Sequence, residues 1–158
     1  MLTVFGEPKG QPRPRAFARK MGLRYVARVY ESDVADAWRA NLRSVLTLEN
    51  IKPHFPERSE KGAFVVALTF GFKRPKSHFT TKGALKSDCL FEYVQKPDLD
   101  NLAKLVLDEM TKTELIWRDD CQVVELNIVK GWSPMEWEQS FCIIDVYPRS
   151  AKEVASIE

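Results

Sequence analysis

The stretch AFVVALTFGFK, residues 63–73, is the strongest strand signal in the chain. Large apolar side chains recur at every second position, from Phe64 through Leu68 to Phe72, so they share one face of a strand. The smaller residues between them, such as Ala67 and Thr69, point to the opposite face. The stretch therefore predicts a long strand with one strongly apolar face, and with it a sheet on which the rest of the domain is built.

The elements around this strand are predicted from periodicity and from turn residues. Four further strands are expected at 2–5, 23–30, 122–130 and 140–148, and two helices at 32–48, with Ser32 as N-cap, and at 100–112. The segments 49–62 and 74–96 are expected to be loops. The order predicts an α+β fold with a mixed β-sheet and helices packed on it, in a single domain of residues 1–150 followed by a flexible tail at 151–158.

The helix expected at 100–112 has an apolar stripe and a polar one. Leu102, Leu105, Val106 and Met110 follow helical spacing, although Glu109 falls within the same arc. Asn101, Lys104 and Asp108 recur on the opposite side. The first stripe predicts burial against the sheet, and the second remains available for chemistry.

Length and composition limit the class of protein. The chain has 158 residues, 44% hydrophobic and 29% charged, which suits one folded domain. No apolar run approaches the roughly 18 residues that span a membrane, and no secretory signal is expected. The three cysteines form no CxxC pair, which favours reduced thiols and a cytoplasmic location, without membrane contact.

Charge is distributed unevenly between the two parts of the chain. Residues 1–97 contain 18 Lys and Arg against 9 Asp and Glu, whereas residues 98–158 contain 6 against 13. A basic part suits the binding of a polyanion, and an acidic part suits the binding of cations. A simpler interpretation of this uneven charge is that the protein has two solvated faces of opposite charge and that neither binds a ligand.

Two aspartate pairs stand at element boundaries. If the chain is extended up to residue 99, Asp98 and Asp100 point to the same side, with Asp100 as N-cap and Lys104 one turn further on. Asp119 and Asp120 precede the strand at 122–130. Carboxylates converging on one point would repel one another unless a divalent cation lay between them, and Mg²⁺ prefers such oxygen ligands. The alternative is that the pairs are ordinary helix caps and turns.

A family resemblance rests on three motifs. These are KPDLDNLAKLVLD (96–108), IWRDDCQVVELNIVK (116–130) and the opening GEPKGQPRPR (6–15). The pattern K-P-D-x-D-N-L-x-K-x-x-x-D followed by W-x-D-D-x-Q-V resembles the RusA-type Holliday junction resolvases. The resemblance implies a Mg²⁺-dependent endonuclease, with Mn²⁺ as a possible substitute ion, that acts as a homodimer on four-way DNA junctions by paired symmetric nicks.

The resemblance also implies roles for individual residues. Asp98, Asp100 and Asp120 match the metal-binding aspartates, Lys104 matches the essential lysine, and Asp119 matches the partner in the aspartate pair. Residues expected to contact DNA are Arg13, Arg15, Arg19, Lys20, Lys73, Arg74, Lys76 and Asn101. Phe79, Phe91 and Tyr93 are candidates for stacking on unpaired bases, with core packing as the alternative. Cys121 stands where a small residue is expected.

Other functions remain open at this stage. The same metal site would suit a nuclease for flaps or forks, and a degenerate family member would bind branched DNA without cutting it. Retention of both aspartate pairs and Lys104 favours an enzyme. The pattern leaves open whether Asp119 or Glu125 completes the metal shell.

Overall fold

The computed structural model describes residues 1–12, 15–21, 24–30, 33–90, 92–134 and 137–149. Its strands are β1 (Leu2–Phe5), β2 (Arg15–Met21), β3 (Arg24–Tyr30), β4 (Phe64–Phe72), β5 (Val123–Trp132) and β6 (Phe141–Pro148). Its helices are α1 (Asp36–Val45), α2 (Leu48–Ile51) and α3 (Leu99–Thr113), with 3₁₀ turns at Asp33–Ala35, Lys76–His78 and Asp120–Gln122. The expected tail at 151–158 lies outside the described residues.

The main sheet has four strands in the order β1-β6-β4-β5. β4 lies inside it, antiparallel to β6 with Leu68 opposite Ile144, and parallel to β5 with Phe72 opposite Trp132. β1 closes one edge, antiparallel to β6. β5 is the other edge. Both parallel and antiparallel pairs are present, so the predicted mixed sheet and α+β class are confirmed.

The core lies on the face of β4 that the alternation predicted. Phe64, Val66, Leu68, Phe70 and Phe72 are all at most 3% exposed, whereas the residues between them are mostly half-buried. Helices α1 and α3 pack on this face through a shared hydrophobic cluster. The apolar stripe of α3 is buried as expected, because each large side chain removed from water contributes about 1.5–3 kcal/mol.

A buried carboxylate ties α3 to α1. Glu109 is 1% exposed, and Arg43 of α1 donates to it through Nε at 2.7 Å and through a second guanidinium nitrogen at 3.3 Å. Lys112 Nζ donates to Glu109 from one turn away at 2.8 Å. Burial raises the pKa of Glu109, but the hydrogen bonds and charges of Arg43 and Lys112 more than compensate, so its pKa lies below the ordinary value. This pairing explains how an acidic residue can occupy the apolar arc of the helix.

Several local predictions were wrong. Residues 15–21, where no strand was expected, form β2, which pairs with β3 as a separate antiparallel hairpin. The first long helix starts at Asp36 after a 3₁₀ turn, and its expected N-cap, Ser32, lies outside the described residues. Part of the expected loop at 49–62 belongs to α2, where the Thr47 side chain accepts a hydrogen bond from the Asn50 backbone. The segment 74–96 is irregular, as expected, apart from the short turn at Lys76–His78.

Candidate active site

The start of α3 presents two exposed carboxylates. Asp98 is the N-cap, with extended backbone angles, and its carbonyl accepts the first helical hydrogen bond from Leu102 at 3.1 Å. Its side chain makes no capping hydrogen bond, although aspartate is among the residues that most often do so. Asp100 lies in the first turn, also exposed. The carboxylate of Asp98 is thus not used to stabilise the helix end.

The expected geometry of this pair needs correction. Asp98 and not Asp100 is the N-cap, so the two side chains do not alternate along one extended segment. The helix begins one residue earlier than expected, at Leu99, and Asp98 has the extended backbone of an N-cap. Asp100 and Lys104 are separated by one helical turn and share a face. Lys104 is 61% exposed and its ammonium lies 3.8 Å from Asp108, the next acidic residue on that face.

The N-terminal loop lies directly against the start of α3. Gln11 donates its backbone N–H to the carbonyl of Asn101 at 2.9 Å. A Cβ at Gly10 would come within 3.0 Å of the Asn101 Cβ and 3.3 Å of the Pro97 Cβ, so a larger residue would push the loop away. The anchor is two residues before Arg13 in the sequence. The middle of the motif GEPKGQPRPR therefore lies beside the motif KPDLDNL.

A lysine from β5 holds the segment that leads into α3. Lys130 Nζ donates to the carbonyl of Gln95 at 2.7 Å and to that of Pro97 at 2.8 Å. The Tyr93 hydroxyl donates to the carbonyl between them, on Lys96, at 2.8 Å, and Lys130 also lies over the Tyr93 ring. Burial raises the pKa of Tyr93, and the charge of Glu7 adds to the rise. Three consecutive carbonyls before Asp98 are thus fixed from one side.

Lys130 and Tyr93 were missed from the sequence as positioning residues. The available signal was the place of Lys130 in the alternation of β5, where it follows Leu126 and Ile128 toward the core face. Tyr93 was considered as a ring for stacking on bases, with core packing as the alternative. Instead it stacks on Phe72, with centroids 3.9 Å apart, so the packing alternative holds for this residue. Phe91 lies outside the described residues.

The second acidic pair has a structural role for one of its members. Asp119 is the N-cap of the 3₁₀ turn at Asp120–Gln122, and its Oδ1 accepts from the Cys121 N–H at 2.9 Å. This backbone hydrogen bond, followed by the Cys121 side chain, lowers the pKa of Asp119. Gln122 completes the cap by accepting from the N–H of Arg118 and of Asp119. The cap alternative therefore describes Asp119, while the half-buried Asp120 side chain has no such role in the turn.

The two acidic pairs lie at opposite ends of α3. Lys130, late in β5, contacts the residues just before α3, whereas Trp117, just before β5, donates its indole N–H to Thr111 near the end of α3 at 2.8 Å. Helix and strand therefore run antiparallel. With α3 about 22 Å long and the stretch from Val123 to Lys130 about 23 Å, the pairs are on the order of 20 Å apart.

This separation overturns the expectation that one chain gathers three carboxylates. Across the described ranges, no group of three or more His, Cys, Asp or Glu side chains is placed to hold a metal ion. Asp98 and Asp100 are two oxygen donors of the type that Mg²⁺ prefers, and Asp120 does not join them within the chain. The carboxylate oxygens of Glu125 are occupied by Arg149 and Asn127, at 3.0 and 3.1 Å.

Three of the expected DNA-contacting cations lie at the same end of the sheet as Asp98. Lys73 and Arg74 follow the last residue of β4, and Lys76 starts the next turn. Arg74 donates to the carbonyl of Leu90 at 3.1 Å and lies over the Trp132 ring, so it is partly committed to packing. Lys20 is exposed on the hairpin. Arg15 and Arg19 belong to the same strand, and their side chains, like all of Arg13, lie outside the described residues.

Comparisons with known proteins identify the family. The family model "Endodeoxyribonuclease RusA" matches residues 6–136. The uncharacterized protein YqaN of Bacillus subtilis (strain 168) is 31% identical over 134 residues, which cover 84% of this chain and 87% of that protein. None of the described helices is long and apolar enough to cross a membrane. The chain belongs to the RusA endodeoxyribonuclease family, and is therefore an enzyme that hydrolyses phosphodiester bonds in DNA.

Proposed function

We propose that the protein resolves Holliday junctions by paired symmetric nicks, with Mg²⁺, for which Mn²⁺ can substitute, held by Asp98, Asp100 and Asp120. The observation that carries the proposal is the start of α3. There Asp98 and Asp100 expose carboxylates in a family motif, and the helix leaves the Asp98 side chain unused. Membership of a family of junction-resolving nucleases supports branched DNA as substrate and a divalent metal as cofactor.

The chain's own residues have distinct proposed tasks. Bound Mg²⁺ would polarise the phosphodiester and lower the pKa of an attacking water. Asp98 and Asp100 bind the ion, and the N-terminal end of the α3 dipole offsets part of their mutual repulsion. Lys104, one turn further along the same face, is oriented by Asp108 and stabilises the charge that develops on the phosphate. Asn101 contacts the junction backbone beside them.

A homodimer would complete the site, because one chain holds the aspartate pairs about 20 Å apart. β5 is a sheet edge with three exposed apolar side chains: Val124 (55%), Leu126 (38%) and Val129 (58%). A long apolar edge strand is a ready site for pairing with a second strand. Antiparallel pairing of two β5 strands about a two-fold axis would put Asp119 and Asp120 of one chain beside the partner's α3 start. It would also create two equivalent sites, as two symmetric nicks require.

A junction cleavage assay with and without Mg²⁺ tests the function. The variant Asp100→Asn is expected to bind a synthetic four-way junction at wild-type affinity but to lose cleavage, because a ligand is lost while the basic surface remains. Asp36→Asn, which also alters an exposed acid in the first turn of a helix, is the matched control and should cut normally. Wild-type levels of paired nicks from Asp100→Asn would exclude the assignment.

The substrate alternatives are separated in the same experiment. Junction, flap, fork and linear duplex are compared at equal concentration, and preference for the junction is expected. Preferential cutting of flaps or forks would replace junction resolution by that activity. Binding of the junction with no cutting in Mg²⁺ or Mn²⁺ would instead indicate a non-catalytic branched-DNA-binding protein.

A further inference from the structure

A groove runs along the end of the sheet where β4 finishes. It consists of two neighbouring cavities, of about 330 and about 470 Å³, and Lys73 and Glu138 line both. The first cavity extends toward Lys76, Phe79 and Trp137. The second extends toward Tyr93 and Gln95, in the segment that leads into α3. Neither the sequence motifs nor the family match assigns a function to Trp137.

The first cavity combines cations with aromatic rings. Its lining includes Lys73, Arg74 and Lys76 together with the aromatic residues Phe79 and Trp137. Lys73 and Lys76 are exposed, so their ammonium groups can reach a phosphate. An aromatic face adds affinity for any unpaired base, whatever its identity. Cations beside accessible rings are the combination that single-stranded nucleic acid requires.

Trp137 is held in a fixed position by other rings. Its indole packs edge-on against Phe141, with centroids 4.4 Å apart, and against Phe5 at 5.7 Å. Phe141 can lie across β4 only because residue 71 is glycine, since a Cβ there would collide with the Phe141 ring. Trp137 itself remains half-exposed. A rigid, partly exposed ring can bind a base at little entropic cost.

The second cavity extends from the shared residues Lys73 and Glu138 toward the segment that precedes the carboxylate pair. Gln95, which lines it, is three residues before Asp98, and its carbonyl is one of those bound by Lys130. The acids in the groove do not cancel its cations. Glu7 is paired with Lys9 at 2.7 Å, and Glu138 is a single acid beside Lys73, Arg74 and Lys76. A strand that binds Lys73 and continues along the second cavity would pass the segment that leads to Asp98.

We propose that this groove binds one unpaired strand of DNA, with a base stacked on Trp137 and the adjoining phosphates on Lys73 and Lys76. The inference rests on the proposed function, because it makes the groove the path of the strand that is to be cut. A paired base has both faces covered by its neighbours in the duplex, so Trp137 has no surface to engage there. The groove thus adds preference for DNA whose pairing is interrupted, such as the centre of a junction.

Binding of a short oligonucleotide without divalent metal tests the groove separately from cleavage. The probe is a thymidine oligomer with one 2-aminopurine, whose fluorescence falls when the base stacks. Wild-type protein should quench it, Trp137→Phe should retain most of the affinity, and Trp137→Ala should bind about 5- to 150-fold more weakly without quenching. Equal affinity of wild-type protein and Trp137→Ala would overturn the proposal, as would equal binding of the matched blunt duplex.

The cations give a second, independent readout. Lys76→Ala should reduce the slope of log affinity against log salt by about 0.7, the loss of one phosphate contact on a single strand. Lys52→Ala, an exposed lysine just after α2, is the control and should leave the slope unchanged. If Trp137→Ala fails to fold, as judged by its thermal transition, Lys73→Gln combined with Lys76→Gln tests the groove, and unchanged oligomer binding would overturn it.

The groove and the nuclease function can fail independently. Oligomer binding that depends on Trp137, together with an uncut junction, would refute the resolvase function and keep the groove. Normal junction cleavage with Trp137→Ala, at unchanged junction affinity, would refute the groove and keep the function.

Discussion

Two inactive variants of this protein should restore activity to one another if each metal site is shared between two chains. Asp100→Asn damages the end of α3 that carries Asp98, and Asp120→Asn damages the opposite end. A heterodimer of the two would contain one site with both lesions and one with neither. If each chain instead held a complete site, every site in the mixture would carry a lesion and the mixture would stay inactive.

The expected magnitude follows from counting sites in a two-fold dimer. In an equal mixture that assembles at random, about half of the dimers are heterodimers, and each has one intact site out of two. Activity should therefore reach about a quarter of the wild-type number of sites. Because no dimer in the mixture has two intact sites, each can cut only one strand of a junction during one binding event.

The assay is cleavage of a supercoiled plasmid with an extruded cruciform, by the two variants co-expressed with different affinity tags. One nick gives an open circle and paired nicks give a linear product, so the purified heterodimer should give open circles almost exclusively. Asp98→Asn combined with Asp100→Asn is the matched control, because both lesions lie at the same end of α3 and cannot complement. A purified heterodimer of Asp100→Asn and Asp120→Asn that is as inactive as its parents would refute the shared site.

Two further predictions concern the support of α3. Lys130→Met removes the donor to the Gln95 and Pro97 carbonyls, and is expected to lower kcat at least about ten-fold with junction affinity little changed, since small displacements at a reacting centre are costly. Lys130→Arg should restore kcat, and the control Lys52→Met should cut normally. A loss of junction affinity as large as the loss of kcat would instead make Lys130 a DNA-binding residue. Glu109→Gln should lower the free energy of unfolding by about 2 kcal/mol at pH 7, because Arg43 and Lys112 lose a charged partner but can turn to water. The folded pKa of Glu109 lies below its ordinary, unfolded value, so its stabilisation is fully present above that ordinary pKa and is lost as the pH falls through the folded pKa. Urea unfolding of the wild-type protein and of Glu109→Gln, at pH 7 and at pH 3, measures the size of the stabilisation and its pH dependence. A difference in unfolding free energy between the two proteins that is equal at both pH values would contradict the stabilising role of the Glu109 carboxylate.

The sheet and the two long helices could be predicted because their signals are local. The alternation in β4 and the apolar stripe of α3 each require burial of one face, whatever the rest of the chain does. The hairpin strand β2 escaped prediction since RAFARKM has a weak apolar pattern, in which the apolar residues do not alternate. Glu109 in the apolar arc was visible, but its partner Arg43 lies 66 positions earlier in the sequence.

The sequence indicated which residues are candidates for the site, but not how they are arranged in space. Motif spacing identified Asp98, Asp100 and Lys104, which α3 does hold near one another. Whether Asp120 joins them depends on the direction in which β5 runs past α3, and nothing local in IWRDDCQVV fixes that direction. Lys130 was missed for a similar reason: the alternation of β5 indicates its face, but its partners are backbone carbonyls, which no residue type in the sequence identifies.

The length of α3 takes on a further meaning if its two ends belong to two different active centres. The helix then acts as a spacer, because its 15 residues set the distance between the two positions at which a junction is cut. Adding or removing one turn would change that distance by about 5.4 Å with little rotation of one helix end relative to the other. The two active centres could then no longer contact both DNA strands at the same time. On this proposal a single chain would hold only part of each active centre, and DNA cleavage would require a second copy.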